Sequence, residues 1–126
     1  MREQHFELPL TVTAEHSMNA SKHWSAKGKM KREIETLVFV AVKLAKIKPV
    51  KQYPIDIVIS YRSDLDVDNH GFVAKSIIDG LRYANIIKND NKRFVRSLTQ
   101  VFSDRTTVIL RENEKGDKND NQSKAR

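Results

Sequence analysis

The sequence predicts one α+β domain in which a small mixed β-sheet packs against two main helices. Two segments repeat apolar residues at the three- and four-residue spacing of an amphipathic helix, and several shorter segments are rich in β-branched and aromatic residues. With 126 residues, 39% of them apolar, the chain can bury a core but has no room for a second domain. The predicted domain spans residues 1–111, and a polar tail follows over residues 112–126.

The N-terminal half is predicted to contain one strand and the longer helix. Residues 5–13 alternate loosely between apolar and polar side chains, and Pro9 favours an edge position because it lacks a backbone N–H. After a polar, turn-rich segment over residues 14–26, a helix is predicted over residues 27–47. Its apolar residues recur at helical spacing: Met30, Ile34, Leu37, Ala41, Leu44 and Ala45. Val38, Val40 and Val42 alternate within it and leave a strand as the other interpretation of that stretch.

The second predicted strand and the second predicted helix flank an acidic segment. Residues 55–61, IDIVISY, are predicted as a strand because β-branched residues dominate them. Asn69 is predicted as the N-cap of the helix that follows. One apolar stripe runs along this helix: Val73, Ile77, Leu81 and Ala84. Lys75, Asp79 and Arg82 fall on a different side, which is predicted to be charged and to face the acidic segment.

The C-terminal part is predicted to complete the sheet. Residues 85–92 form a polar turn around the apolar pair Ile86 and Ile87. Residues 94–102 and 106–110 are predicted as the two strands of a hairpin that residues 103–105 connect. The last fifteen residues, 112–126, contain almost no apolar side chains and are predicted to be disordered.

The composition is typical of a soluble, intracellular protein with affinity for polyanions. The absence of cysteine excludes disulfides and thiolate metal sites and is compatible with the cytoplasm. No segment approaches the roughly 20 apolar residues of a membrane span, so no membrane association is expected. Lys and Arg number 23 against 16 Asp and Glu, which gives a net charge of +7, and the tail is neutral. This excess favours nucleic acid as the partner, although solubility alone would also explain it.

Aspartates are the strongest candidates for a functional site. Asp64, Asp66 and Asp68 lie within five residues directly after the second predicted strand, and Asp90 follows the second predicted helix. Carboxylates this close repel one another unless a cation lies between them. Because Asp66 and Asp68 are two residues apart, their side chains point the same way in an extended chain. Hard oxygen ligands without cysteine favour Mg²⁺, with Mn²⁺ as a substitute.

The acids therefore predict a metal site made of Asp66, Asp68 and Asp90, with the turn after the second helix bringing Asp90 back to the other two. Such a site in a basic protein suggests metal-assisted hydrolysis of phosphodiesters. Taken alone, the same acids also suit a solvated loop, because Asp is common in turns and at helix N-termini. The segment is not an EF-hand, since the required Gly and the closing Glu are missing.

Several motifs also follow one another in a familiar order and spacing. They are Asp66-x-Asp68-Asn69, Lys75 four residues before Asp79, Gly80-Leu81, and Ile86-Ile87-Lys88-Asn89-Asp90. This combination resembles the RusA family of Holliday junction resolvases. Ser17-Met18-Asn19 and Gly28-Lys29-Met30-Lys31 look like that family's N-terminal loop and first helix, so the resemblance covers about residues 17–110. The spacing from Asn69 to Lys75 is longer than in the best-known members, and Asn89 stands where an acid is common.

The resemblance implies a small homodimeric endonuclease of a kind common in phages and prophages. It implies that Asp66, Asp68 and Asp90 hold Mg²⁺, that the metal activates water, and that Lys75 stabilises charge on the phosphate. Each site of the dimer would nick one strand of a four-way DNA junction, symmetrically across the branch point. Asp64 receives no role from the resemblance, and Asp79 is interpreted as a surface or support residue rather than as a ligand.

DNA contacts are predicted for basic and polar residues around the first helix and beside the acids. These residues are Asn19, Lys22, Lys27, Lys29, Lys31, Arg32 and Asn69, with Asn19, His23 and Trp24 near the branch point. The other interpretation is a solvated first helical turn from Lys29 to Arg32 and a core position for Trp24.

Two other functions stay open. One is a nucleic-acid-binding module that does not cleave, and the other is a metal-dependent hydrolase of small phosphate esters. The absence of a Gly-rich phosphate loop and the net charge of +7 count against the second.

Overall fold

The computed structural model describes residues 2–17, 24–66 and 68–113 and confirms a mixed α+β architecture. Four strands and two long helices follow in this order: β1 Glu3–Leu8, α1 Trp24–Leu44, β2 Ile55–Tyr61, α2 Gly71–Tyr83, β3 Val95–Phe102 and β4 Thr106–Glu112. A short 3-10 helix, Ala14–His16, lies between β1 and α1. None of the helices in these ranges is both long enough and apolar enough to cross a lipid bilayer.

The four strands form one mixed sheet in the order β1-β4-β2-β3. β4 is antiparallel to both β1 and β2, whereas β3 is parallel to β2. The predicted hairpin of β3 and β4 is therefore wrong, because β2 lies between these two strands. β2 takes an inner position since its alternate residues, from Ile55 to Tyr61, are at most 1% exposed. The connection from β3 to β4 passes the end of β2, where the Ser103 N–H donates to the Tyr61 carbonyl at 2.8 Å.

Both helices contribute to one core against a single face of the sheet. The strands contribute every second residue, so that β2 and β4 alternate between buried and half-buried positions. The helices contribute residues three, four or seven apart. Principal core residues are Phe6, Leu8, Ile57, Ile59, Val108 and Leu110 from the strands and Ile34, Val38, Val73, Ile77 and Leu81 from the helices. The apolar stripe predicted for α2 is thereby confirmed.

The central valines of the first helix are helical. Val38 and Val42 are buried while Val40 is exposed, as expected for residues four apart on one helix face. The alternative interpretation of this stretch as a strand is therefore wrong. α1 begins three residues before its predicted start and ends at Leu44, which is 80% exposed. Leu44 thus lies outside the buried stripe to which its spacing assigned it.

The first strand is shorter than predicted. β1 ends at Leu8, and the residues after Pro9 leave the sheet except for an isolated parallel bridge between Val12 and Ser63. The edge position that Pro9 predicted for this strand is confirmed.

The last strand is longer than predicted and includes Glu112, which the sequence placed in the tail. Glu112 is buried, and its Oε1 accepts hydrogen bonds from the N–H groups of Lys51 and Gln52 at 3.1 and 3.0 Å. Arg2 Nε lies 2.8 Å from its Oε2. This carboxylate therefore fastens the end of β4 to the segment that leads into β2. Residues 114–126 of the predicted tail lie outside the described residues.

The two helices approach closely at Gly80. A Cβ atom at this position would lie 2.9 Å from Val38 Cβ and 3.2 Å from Val38 Cγ1. Real Cβ atoms do not come this close to a neighbour, so any larger residue would push α1 and α2 apart. Gly80 therefore has a packing role, and Gly71 at the start of α2 has none, because a Cβ there would meet nothing within 4 Å.

We expect Gly80→Ala to lower the free energy of unfolding by about 1–3 kcal/mol, because overpacking at Val38 outweighs the better helix propensity of Ala. Gly71→Ala is the matched control, and it should leave the stability unchanged or raise it by up to about 1 kcal/mol. Urea unfolding followed by circular dichroism measures both variants. Equal stability of the two variants would contradict the close helix contact.

Candidate functional site

The acid loop, residues 62–70, leaves the C-terminal end of β2 and leads directly into α2. Its first residues are held by two backbone hydrogen bonds, one to the N–H and one to the carbonyl of Val12. The Val12 N–H donates to the Arg62 carbonyl at 2.8 Å, and the Asp64 N–H donates to the Val12 carbonyl at 3.0 Å. One turn inside the loop follows, in which the Leu65 N–H donates to Ser63 Oγ at 3.0 Å. The loop is thus fixed to the chain that follows β1.

His70 fixes the other end of the acid loop. Its side chain is buried, its ring stacks on the Tyr61 ring with centroids 4.3 Å apart, and its Nε2 lies 2.7 Å from Ser63 Oγ. The N-cap of α2 is His70, so the predicted N-cap at Asn69 is wrong by one residue. Nothing in the local sequence indicates the His70 position, because the ring that it stacks on belongs to β2.

The acid loop presents its carboxylates to solvent. Asp64, Asp66 and Asp68 are exposed, and the half-buried Asn69 donates its backbone N–H to the Asp66 carbonyl at 3.0 Å. Among residues 2–17, 24–66 and 68–113, the carboxylates of Asp66 and Asp68 make no hydrogen bond or ion pair. Their lone pairs are therefore available to water or to a cation. Val67, between them, is outside the described residues.

Lys75 connects Asp90 to α2. Its ammonium nitrogen lies 3.3 Å from Asp79 Oδ2 and 3.9 Å from Asp90 Oδ2, and the side chain is 63% exposed. Asp90 itself follows the end of α2 by seven residues. The structure thus brings two of the predicted catalytic residues together, Lys75 and Asp90, beside the helix that begins where the acid loop ends.

Asp79 is buried at the centre of a group of cations, which the sequence did not predict. Its carboxylate lies 2.7 Å from Lys31 Nζ on α1 and 3.1 Å from Arg82 Nη1, in addition to Lys75. Lys31 also pairs with Glu35 one turn along α1. The predicted surface position of Asp79 is therefore wrong, whereas its predicted role in support agrees with these ion pairs. Spacing within α2 reveals Lys75 and Arg82 as partners but gives no sign of Lys31.

The ion pairs favour the charged forms of both partners. Burial alone would raise the pKa of Asp79, but the hydrogen bond and the charge of Lys31, with Lys75 in addition, hold it below its ordinary value of 3.8. Burial likewise opposes the charge of Lys31, and hydrogen bonds to Asp79 and Glu35 nevertheless raise its pKa above the ordinary 10.5. Asp79 is thus a permanently charged anchor for the two helices at neutral pH.

The predicted metal ligands suit Mg²⁺ in chemistry, but the described residues do not bring them into one cluster. All three are carboxylates, the hard oxygen donors that Mg²⁺ prefers. Within the described ranges, however, no group of three or more His, Asp or Glu side chains is placed close enough to hold one metal ion. Asp66 and Asp68 lie on the acid loop before α2, while Asp90 is held at Lys75. The three-carboxylate site therefore stays a prediction.

The predicted DNA contacts differ in how far their side chains are engaged. Lys29 and Arg32 are exposed, and their side chains form no ion pair within the described residues. Lys27 is half-buried, donates to the Ser17 carbonyl, and lies 4.7 Å from the centre of the Phe72 ring. Lys31 is occupied by Asp79 and Glu35. Asn19, Lys22 and His23 lie outside the described residues, as does the side chain of Trp24.

The sequence was also compared with known proteins. No protein-family model matches the chain, and no match was found among curated proteins.

Asp79→Asn should lower the free energy of unfolding by about 2 kcal/mol at neutral pH, because Lys31 and Arg82 lose the charge that compensates them. The folded-state pKa of Asp79 is depressed, so its stabilisation is complete above about pH 3.8 and is lost as the pH falls through the lower folded value. The difference between wild type and variant should therefore shrink in acid. Urea unfolding at a series of pH values measures it.

The exposed Asp104→Asn is the matched control for this charge change. We expect it to change the stability by no more than about 0.5 kcal/mol at any pH. A pH-independent effect of Asp79→Asn would mean that shape, and not charge, determines the role of this residue.

Proposed function

We propose that this protein is a Mg²⁺-dependent endonuclease of the RusA type, which acts as a homodimer and resolves four-way DNA junctions by paired symmetric nicks. The observation that carries the proposal is the contact of Lys75 with Asp90, 3.9 Å between Nζ and Oδ2. It joins a remote acid to the exposed side of the helix that starts at the acid loop. The carboxylates of Asp66 and Asp68, which have no partner among the described residues, support the same proposal.

Asp66, Asp68 and Asp90 are the residues that would hold Mg²⁺. When bound, the ion would supply Lewis-acid stabilisation of the phosphate and an acidified water. Partnerless, exposed carboxylates suit this task, since no cation of the described residues has to be displaced from Asp66 or Asp68.

Lys75 would place a positive charge beside the phosphate. Asp79 holds its ammonium nitrogen at 3.3 Å, but Asp79 is already compensated by Lys31 and Arg82. The charge of Lys75 is therefore shared between Asp79 and Asp90, and its 63% exposure leaves room for a further anion. In this proposal Asp79 is a positioning residue that orients Lys75 and does not contact DNA.

The net charge of +7 provides the attraction to DNA, and Lys29 and Arg32 are the exposed cations of α1 best suited to phosphate contacts.

A second candidate function is binding without cleavage. The observation that favours it is the lack of a three-carboxylate cluster within the described residues. Cleavage assays separate the two functions.

With Mg²⁺, the wild type should nick an end-labelled four-way junction at two symmetric positions and leave a linear duplex of the same sequence intact. Asp68→Asn should bind the junction at least as tightly and cut it at least about 100-fold more slowly, since it removes a metal ligand and a repulsive charge. Asp104→Asn, an equally exposed aspartate, should behave as wild type. Binding by the wild type without cleavage in either Mg²⁺ or Mn²⁺ would leave the binding-module function.

The double variant Lys29→Gln/Arg32→Gln should weaken binding to all DNA sequences alike. The slope of log K against log salt should become shallower by about 0.9 for each phosphate that the variant no longer neutralises, because fewer counterions are released. Fluorescence anisotropy over a salt series measures this slope. The double variant Lys48→Gln/Lys51→Gln removes two exposed charges beyond the opposite end of α1 and serves as the control for the change in net charge. An identical slope in all three proteins would exclude α1 from the DNA interface.

A further inference from the structure

Among the described residues, β3 is the strand that exposes large apolar side chains. It lies at one end of the sheet and pairs only with β2 among the described residues. Its apolar side chains Leu98, Val101 and Phe102 are 38%, 44% and 53% exposed, although they occur on both faces of the strand. An edge strand with bare backbone groups and uncovered apolar side chains readily pairs with another strand.

The opposite edge of the sheet, β1, is protected in the usual ways. Gln4 accepts a hydrogen bond from the Lys48 N–H at 2.7 Å and donates to the Lys48 carbonyl at 2.9 Å, so a neighbouring segment covers this edge. The strand is short, carries the charged residues Glu3 and Glu7, and is followed directly by Pro9. Charges, proline and covering loops are the devices that keep edge strands from pairing. Over residues 97–102, β3 has no charge and no proline, and none of the described segments covers its edge.

The charge distribution favours a second copy of the chain as the occupant of this edge. Two copies that each carry +7 repel one another over most of their surfaces. The stretch SLTQVF, residues 97–102, contains no charged residue. Arg96, just before it, is turned onto β2, where its Nη2 lies 2.6 Å from Asp56 Oδ2. The β3 edge is therefore a place where two copies can meet without charge repulsion.

We propose that β3 pairs antiparallel with β3 of a second copy about a two-fold axis at Gln100. In this register Leu98 of each copy lies opposite Phe102 of the other copy, so the symmetry creates two such pairs. Both pairs lie on the face of the sheet that also carries Ile57 and Tyr61 of β2. Thr99 then faces Val101 on the other side of the sheet. Gln100 Oε1 accepts from the Tyr61 hydroxyl at 2.7 Å, which leaves its amide N–H groups for the second copy's Gln100.

Neighbouring registers fit less well. A two-fold axis at Thr99 would oppose Leu98 to Gln100, and an axis at Leu98 would carry the pairing into the register shift near Arg96. The axis at Gln100 matches each exposed apolar residue with an apolar or β-branched partner without crossing that shift, which is the favourable cross-strand arrangement.

The pairing would also fix the relation between the two candidate sites. The Phe102 ring packs edge-on against His70 with centroids 5.7 Å apart, and His70 follows Asp68 by two residues. Each acid loop therefore begins beside one end of the shared strand pair, on opposite sides of the axis. This consequence rests on the proposed function, in which two sites cut two strands, whereas the pairing itself rests on β3 alone.

Multi-angle light scattering tests the association. The wild type should have twice the mass of the 14.5 kDa chain. Leu98→Lys should weaken dimerisation by about tenfold or more, since the two-fold symmetry removes two cross-strand pairs. Leu44→Lys makes the same change at an exposed leucine of α1 and should stay dimeric. A monomeric wild type would overturn the proposal and leave the β3 edge to a strand of another protein.

Disulfide trapping tests the register without weakening the strand, because the chain has no cysteine of its own. The double variant Leu98→Cys/Phe102→Cys should form an intermolecular disulfide on mild oxidation. Each single variant should not, since the axis at Gln100 separates equivalent residues by roughly 13 Å, beyond the reach of about 7 Å between Cα atoms. Ready cross-linking of Leu98→Cys alone, or none in the double variant of a dimeric protein, would overturn this register.

The junction assay keeps the two proposals apart. A dimer trapped at β3 that does not cut DNA would sustain the interface and overturn the nuclease. Paired nicks by a Leu98→Cys/Phe102→Cys variant that forms no intermolecular disulfide would sustain the nuclease and overturn the interface.

Discussion

The apolar face of β2 is the constraint on which the other elements depend. Four alternate residues, from Ile55 to Tyr61, are almost completely inaccessible to water, and burying a side chain of this kind contributes about 1.5–3 kcal/mol. Such a strand is most stable with a strand on each side and helices on one face. Its inner position sends β3 to the edge of the sheet, and its C-terminal end sets where the acid loop begins.

Local patterns in the sequence predict what local physics decides. β2 has the predicted bounds, and the apolar stripe of α2 is buried as its spacing requires. A three-residue connection favoured a β3–β4 hairpin. The two strands instead both pair with β2, because the apolar residues of β2 are buried when it has a strand on each side. Leu44 shows the same limit on a helix, because the spacing that predicts a stripe does not tell where the neighbouring layer stops.

The candidate site was predictable in part for a similar reason. Asp66, Asp68 and Asp90 are visible in the sequence as acids in polar segments. The positions of Asp79 and His70 are not, because each depends on a residue from another element: Lys31 lies 48 positions before Asp79, and the Tyr61 ring belongs to β2. Because of these long-range contacts, Asp79 is a buried ion-pair partner and not a surface acid. His70 for the same reason is a buried residue that holds the start of α2 against β2.

The acids of this basic chain therefore separate into two kinds. Asp79 is buried and compensated by Lys31, Lys75 and Arg82, so its charge is used within the fold. Asp66 and Asp68 are exposed and have no ion-pair partner among the described residues. A structural role explains the first kind and not the second.

Asp66 and Asp68 lie on the loop that joins Tyr61 at the end of β2 to His70 at the start of α2. The His70 ring stacks on Tyr61 and meets the Phe102 ring of the edge strand β3 edge-on. On α2 itself, Asp79 already orients the charge of Lys75. Under the proposed function and the proposed β3 pairing, a cation bound by Asp66 and Asp68 would restrain the acid loop on one side of His70. Strand pairing would order Phe102 on the other side, so the two events would stabilise the same loop.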